Sequence, residues 1–159
     1  MTVAIKLLGC ALILCAGGLT AMSLVTLEKR KLRVLDGWID LIFYIRSQID
    51  CYLTPIGEIL READEDLLKH CCVNGRCESL DTVLQRSRFY LNEESKRLIS
   101  SFVREIGSSY REEQVKRCDY YAAALRSVRE KQMEGLPSRL RVCVAISLCG
   151  ACGVAVLLW

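Results

Sequence analysis

Histidine is nearly absent from this sequence of 159 residues, since His70 is the single one. One histidine excludes most imidazole-based acid–base schemes and histidine-rich metal sites. The sequence also lacks a G-x-x-x-x-G-K-[ST] phosphate loop, a G-x-G-x-x-G loop and a G-x-S-x-G nucleophile elbow. Nucleotide binding and serine-hydrolase chemistry therefore have no motif to support them, and the sequence offers little basis for catalysis.

Charge is absent from two long runs at the ends of the chain. Leu7 to Leu27 is 21 residues without a formal charge, and Val142 to Trp159 is 18 more. A helix of about 18 to 25 apolar residues crosses a hydrocarbon core of roughly 30 Å. We therefore predict transmembrane helices in residues 1–27 and 142–159, on either side of a middle domain at 28–141. The first run exceeds the usual length of a signal-peptide core and lacks a convincing cleavage site, so an uncleaved anchor is expected.

A concentrated basic face is also lacking, because residues 28–141 carry 21 Lys and Arg against 19 Asp and Glu. Nucleic-acid binding is not predicted. Basic residues instead flank the uncharged runs, and we predict that six of them lie at a membrane face: Lys29, Arg30, Lys31, Arg33, Arg139 and Arg141. The positive-inside rule then predicts a cytoplasmic middle domain with both termini outside. Contact with anionic headgroups contributes about 1 kcal/mol for each such residue.

The ten cysteines do not indicate a disulfide framework. Five lie inside the uncharged runs, and the odd set of five in the middle domain is expected to be free thiols in a reducing compartment. His70, Cys71, Cys72 and Cys77 are nominally enough ligands for zinc, but the paired C-x2-C spacing is missing. A helix end and loop with partly buried thiols is the favoured interpretation. We interpret Cys149-Gly150-Ala151-Cys152 as small apolar residues that pack within the predicted span. We interpret Asp64-Glu65-Asp66 as a solvated helix face, so no metal site is predicted.

Alternation of period two is missing throughout, which disfavours a sheet and predicts an all-α fold. Apolar residues recur at steps of three and four over residues 28–53, 56 to about 69, 80–89, 92–106 and 109 to about 135. Thr54, Ser79 and Asn92 are predicted caps, and Ser109 to Glu112 is a capping-box pattern. Asp36-Gly37 is a weak point in the first of these helices, and Gly135 with Pro137 is predicted to close the last.

Small residues recur at steps of four in the terminal runs, for example Ala145, Cys149 and Gly153. Small residues on one face let membrane helices approach closely. This spacing favours packing of the two spans together or against partners, and we expect an oligomer.

Four stretches resemble the stage III sporulation protein AB family of endospore-forming bacteria. They are Lys6 to Gly9, Tyr44 to Ile56, Ile106 to Gln114 and Leu136 to Val142. Their order, the chain length and the terminal runs match together across nearly the whole chain. The cysteine load departs from the family, in particular between His70 and Cys77.

The resemblance implies a membrane-anchored helical bundle in the mother cell, at the membrane around the forespore. The soluble part would be similar to the cytoplasmic domains of the type II secretion inner-membrane platform protein. Such a protein is a scaffold in the channel between mother cell and forespore, with a secretion-type ATPase and other channel subunits as partners. The family is not enzymatic and has no cofactor.

Docking residues are expected among polar positions in the matching stretches: Arg46, Glu58, Glu112 and Gln114. Ordinary solvated helix surface remains an alternative for each of them. Two other functions also stay open. One is a small regulatory membrane protein whose bundle binds a soluble signalling partner, and the other is a thiol- or metal-dependent enzyme.

Overall fold

The described residues of the computed structural model are 2–52, 55–73, 75, 77–107 and 110–158. Their side chains are described except at 2–8, 10–14, 139, 143, 147, 148, 151, 152 and 154–158. Every regular element in the described ranges is helical and none is a strand, so the predicted all-α class is confirmed. The helices are α1 (Thr2–Tyr52), α2 (Ile56–Glu62), α3 (Glu65–His70), α4 (Leu80–Ser87), α5 (Glu93–Glu105) and α6 (Arg111–Leu158), with a 3-10 turn at Arg88–Tyr90 between α4 and α5.

Two compact units divide the chain. One consists of Arg30–Gln132 and the other of Met1–Lys29 with Met133–Trp159. Helices α1 and α6 each contribute to both units.

The core of the Arg30–Gln132 unit follows from the apolar stripes of its helices. Trp38 of α1 is its largest fully buried side chain, and Phe102 of α5 is the next. The apolar stripe predicted for α6 runs from Val115 to Val128. Val115 is half-buried, and the stripe positions after it are buried: Cys118, Tyr121, Ala122, Leu125 and Val128. Because helices bury one stripe each, these elements can close around a single apolar core.

Ion pairs flank this core between α1 and α6. Arg46 pairs with Asp119 at 2.6 Å, Arg111 pairs with Asp50 at 2.7 Å, and Arg129 pairs with Asp36. As the residue number of the α1 partner increases, that of the α6 partner decreases, so these parts of the two helices run antiparallel. Exposed pairs of this kind contribute little stability, typically about 0–1 kcal/mol each, and their clearer effect is to favour one register.

The predicted single helix from Ile56 to about Lys69 is wrong, because the chain breaks at Ala63 and Asp64. Both residues have extended ψ angles, 139° and 133°, and the Asp64 carboxylate accepts a hydrogen bond from the Asp66 N–H at 3.1 Å. The break redirects the chain so that Leu60 before it and Leu68 after it are both buried. Burial of apolar side chains on both sides outweighs the helical propensity of the segment.

The predicted helix end at Gly135 and Pro137 is also wrong, since α6 continues through both residues to Leu158. A proline removes one helix hydrogen bond and costs about 3 kcal/mol, which is not enough to end a helix that has many further turns. Helix α1 is likewise continuous across Asp36-Gly37, which the sequence indicated as a weak point.

Local signals set most other helix ends correctly. Ser79 caps α4 by accepting from the Asp81 N–H at 3.2 Å, and Asn92 caps α5 by accepting from the Ser95 N–H at 2.7 Å. Gly107 follows α5 with φ +89°, a conformation that favours glycine. The predicted caps at Thr54 and Ser109 lie outside the described residues.

The terminal unit exposes large apolar side chains. Leu19, Met22 and Ile146 are 67%, 71% and 67% exposed. Among the residues that the structure describes, no helix is long and apolar enough to cross a membrane. Many side chains of the two predicted spans, residues 7–27 and 142–159, lie outside the description. Leu19, Met22 and Ile146 are among the span side chains that are described, and all three are exposed.

Candidate functional site

A cavity of about 610 Å³ in the Arg30–Gln132 unit is lined mainly by cations. We call it the basic pocket. Its polar lining comes from four elements: Arg30 and Arg33 of α1, Lys69 and His70 at the end of α3, Arg86 of α4, and Tyr90 of the 3-10 turn. Val34 and the half-buried thiol of Cys72 complete the described lining, none of which is acidic. The cations dominate the arrangement, and its chemistry is that of an anion site.

Two of the pocket cations, Arg30 and Arg33, belong to helix α1. Arg30 and Arg33 are three residues apart and therefore share one face of α1. The guanidinium of Arg30 lies 5.1 Å from the centre of the Tyr90 ring, within the range of a cation–π contact. This contact restrains Arg30 while leaving its N–H donors able to bind an anion.

Lys69 is held by its own helix. Its ammonium donates to Asp66 at 2.8 Å, and this hydrogen bond is the main reason that the pKa of Lys69 is raised. The same contact lowers the pKa of Asp66. Lys69 therefore keeps its positive charge at neutral pH.

A left-handed residue ends α3 and places Lys69 and His70 at the pocket. Cys72 has φ +60°, its N–H donates to the Lys69 carbonyl at 2.9 Å, and the Val73 N–H donates to the Leu68 carbonyl at 3.0 Å. This pattern is a Schellman motif, which usually has glycine at the left-handed position. Val73 and Leu68 are both fully buried, which completes the motif with its apolar contact.

Replacing Cys72 by glycine is expected to raise the free energy of unfolding by about 1 kcal/mol, because a side chain in the left-handed region costs about 1–2 kcal/mol and glycine gives back part of that in chain entropy. Thermal unfolding of the full chain in mild detergent measures the effect. Cys72→Ala keeps a Cβ and is the matched control, so it should leave the midpoint unchanged. Equal midpoints for the glycine and alanine variants would contradict the strain at this position.

Gly37 lets α3 approach α1 closely. A Cβ built on Gly37 would lie 2.8 Å from both the carbonyl carbon and the Cβ of His70. The glycine that the sequence indicated as a weak point is therefore a contact position between two helices. Its function in the fold is to let the end of α3 reach α1 beside the pocket.

The structure places the six predicted membrane-face residues in different surroundings. Lys29, Arg30, Arg33 and Arg141 are exposed, Lys31 is half-buried, and the Arg139 side chain lies outside the described residues. Only Arg30 and Arg33 line the basic pocket. Lys69, His70 and Arg86 join them through tertiary packing, and sequence reasoning missed these three because no motif links α1, α3 and α4.

The predicted docking residues do not form one cluster among the described contacts. Arg46 forms the ion pair with Asp119 and its hydrogen bond to that carboxylate raises its pKa. Glu58 and Glu112 are exposed on α2 and α6, and Gln114 is half-buried. Glu58 and Glu112 are therefore the two that offer an open surface for a partner.

A second basic cavity of about 500 Å³ lies along α4 and α5. Its cations are Arg88, Lys96, Arg97 and Arg104, and its lining includes the acidic Glu93, which pairs with Lys96 at 2.7 Å. No residue of α1 lines it. This α4–α5 groove resembles the basic pocket in charge and volume but lies on other elements.

The cysteines near His70 are buried rather than arranged around a common point. Cys71 and Cys77 belong to the apolar core and Cys72 is half-buried. Burial raises the pKa of the Cys71 thiol to about 12, which opposes the thiolate form that zinc needs. In the described part of the chain, no three His, Cys, Asp or Glu side chains are grouped to hold a metal ion.

Thiol labelling should separate these environments. Burial raises the pKa of Cys118 to about 11, so at about pH 8 neither Cys71 nor Cys118 has an appreciable thiolate fraction, whereas Cys51 is exposed. We expect N-ethylmaleimide to label Cys51 in the folded chain and Cys71 and Cys118 only after addition of urea, as measured by peptide mass spectrometry. Labelling of all three at one rate without urea would contradict the packed core.

Comparison with known proteins adds no relative. The chain matches no family model, no curated protein and no solved structure.

Proposed function

We propose that this chain is a non-enzymatic scaffold that is anchored to a membrane by its two ends and presents the Arg30–Gln132 bundle to protein partners in the cytoplasm. The observation that carries the proposal is the contrast between the two units. The bundle buries its large aliphatic side chains and exposes only aromatic ones, Tyr52, Phe89, Tyr110 and Tyr120, among its described residues, whereas the terminal unit exposes aliphatic side chains such as Leu19, Met22 and Ile146. Apolar side chains that are exposed on an uncharged helix segment are stabilised by contact with lipid.

The hydroxyl groups of the first uncharged run support the same conclusion. Thr20, Ser23 and Thr26 donate to backbone carbonyls of their own helix at 2.8, 2.9 and 2.9 Å. An apolar environment penalises a polar group without a partner, and here each donor is satisfied inside α1. The basic residues that follow Leu27 supply the charges expected at a membrane face.

The resemblance to the stage III sporulation protein AB family gives the scaffold its proposed place. In this proposal the bundle is a component of the channel between mother cell and forespore and docks a secretion-type ATPase and other channel subunits. The exposed Glu58 and Glu112 contribute to the docking surface. The alternative is a regulatory membrane protein with one soluble signalling partner.

Membrane attachment is tested first, by extracting membranes that contain the tagged full chain with alkaline carbonate. An anchored chain stays in the membrane pellet, and detergent releases it. Release into the carbonate supernatant would refute anchoring.

Partner docking is tested by purifying the tagged full chain in mild detergent from sporulating cells. We expect a secretion-type ATPase and other channel subunits at comparable abundance, and less of the ATPase with the Glu58→Arg/Glu112→Arg variant. Glu94→Arg is the matched control, because Glu94 is also exposed but lies on α5 outside the stretches that carry the resemblance. A single unrelated signalling protein in place of the ATPase would favour the regulatory alternative.

A further inference from the structure

The geometry of the basic pocket points to a binding site for a phosphate-bearing anion, and we infer that the phosphate belongs to the headgroup of an anionic phospholipid. The pocket brings together Arg30, Arg33, Lys69 and Arg86, with His70 as a further polar group, and no acidic residue is among the described residues that line it. The inference rests on the proposed membrane attachment and adds a specific lipid site to it.

Convergence of like charges is the first argument for a bound anion. Asp66 offsets part of the charge of Lys69, and the like charges that remain raise one another's free energy, which an anion among them lowers. Guanidinium groups present planar pairs of N–H donors that match two phosphate oxygens, and a lysine ammonium adds a point charge. Two arginines of α1 and one of α4 therefore suit phosphate better than a single carboxylate.

Preorganisation is the second argument. Arg30 is restrained against the Tyr90 ring, Lys69 is restrained by Asp66, and the Schellman motif at Cys72 fixes the end of α3. Side chains that are already held lose less conformational entropy when a ligand binds. The pocket is thus built before the anion arrives.

Position favours a lipid over a soluble phosphate. Arg30 follows Leu27, the last residue of the uncharged run, by three residues, which is about 4.5 Å along a helix. Phe89, beside Tyr90, is 79% exposed, and an exposed apolar ring close to basic residues suits contact with a membrane surface. The cavity of about 610 Å³ lies within the range of roughly 300–1,000 Å³ that accommodates ligands larger than a phosphate ion.

The test compares two double variants of the full chain in mild detergent. Lys69→Gln/Arg86→Gln removes two pocket charges that are remote in sequence from the membrane flanks, and Arg97→Gln/Arg104→Gln removes two charges from the α4–α5 groove. Each protein is titrated with short-chain phosphatidylglycerol, phosphatidylcholine, inorganic phosphate or a poly-glutamate peptide, and bound molecules are counted by native mass spectrometry. We expect the native chain and the groove variant to bind phosphatidylglycerol alike, and the pocket variant to bind it about 30-fold more weakly, since each of its two lost charges contributes about 1 kcal/mol.

Each other outcome overturns a stated part of the inference. If both variants bind phosphatidylglycerol equally weakly, the attraction is a general effect of charge and the pocket is not the binding site. If phosphatidylcholine binds as tightly as phosphatidylglycerol, the pocket does not recognise an anion. If inorganic phosphate binds as tightly as the lipid, the ligand is a soluble anion. Tighter binding of a poly-glutamate peptide would assign the site to an acidic protein segment.

Carbonate extraction of both variants separates this inference from the proposed function. Both are expected to stay in the membrane pellet, because neither changes residues 1–33 or 133–159. Loss of lipid binding with retained membrane attachment is therefore a result about the pocket alone. Thermal unfolding of both variants excludes misfolding as the cause.

Discussion

Replacing Trp38 by alanine is expected to lower the free energy of unfolding by about 3–5 kcal/mol. Trp38 is fully buried at the centre of the helical core, so its removal leaves a cavity as well as losing apolar burial. Its indole Nε1–H also donates to the Ser87 hydroxyl at 2.9 Å, and that hydroxyl donates to the Leu84 carbonyl at 3.2 Å. A urea titration of the full chain in mild detergent, followed by far-ultraviolet circular dichroism, measures the change.

Two further variants divide that effect into packing and hydrogen bonding. Ser87→Ala keeps the ring in place but leaves the indole N–H unpaired, at a cost of about 1–3 kcal/mol. Trp38→Phe keeps most of the apolar volume and removes the donor, so it should cost less than Trp38→Ala. A loss below about 1 kcal/mol for Trp38→Ala would mean that this ring is outside the packed core.

Replacing Gly37 by alanine is expected to destabilise the bundle by about 1–3 kcal/mol, although alanine normally strengthens a helix. The added methyl would lie 2.8 Å from backbone and Cβ atoms of His70, so α3 must move away from α1. That movement displaces Lys69 and His70 and should also weaken phosphatidylglycerol binding. Urea unfolding and the lipid titration provide the two measurements.

Gly57→Ala is the matched control for that prediction. Gly57 lies in α2 and a Cβ there would meet nothing within 4 Å. Its replacement should therefore stabilise the chain by about 0.5–1 kcal/mol through helix propensity alone. Stability changes of the same sign in the two variants would contradict the close approach of α3 to Gly37.

The sequence by itself determined the features that depend on neighbouring residues. Ser79 and Asn92 cap helices as predicted because a cap needs only its own side chain and the next turn of backbone. The predicted α6 stripe is buried from Cys118 to Val128 and half-buried at Val115, because the helical period alone places these residues on one face. Uncharged ends and flanking basic residues are likewise properties of the chain, and the proposed anchoring depends on them.

Contacts between residues that are far apart in the sequence depend on tertiary packing and could not be predicted from local patterns. The break at Ala63 and the contact of Gly37 with His70 follow from packing free energies that exceed local propensities. Helix α6 continues through Pro137 because one lost hydrogen bond does not end a helix with many further turns. The partner of Arg46 is Asp119, on a helix that no local pattern connects to it. The basic pocket arises in the same way, because Lys69 and Arg86 meet Arg30 only after α3 and α4 have packed on α1.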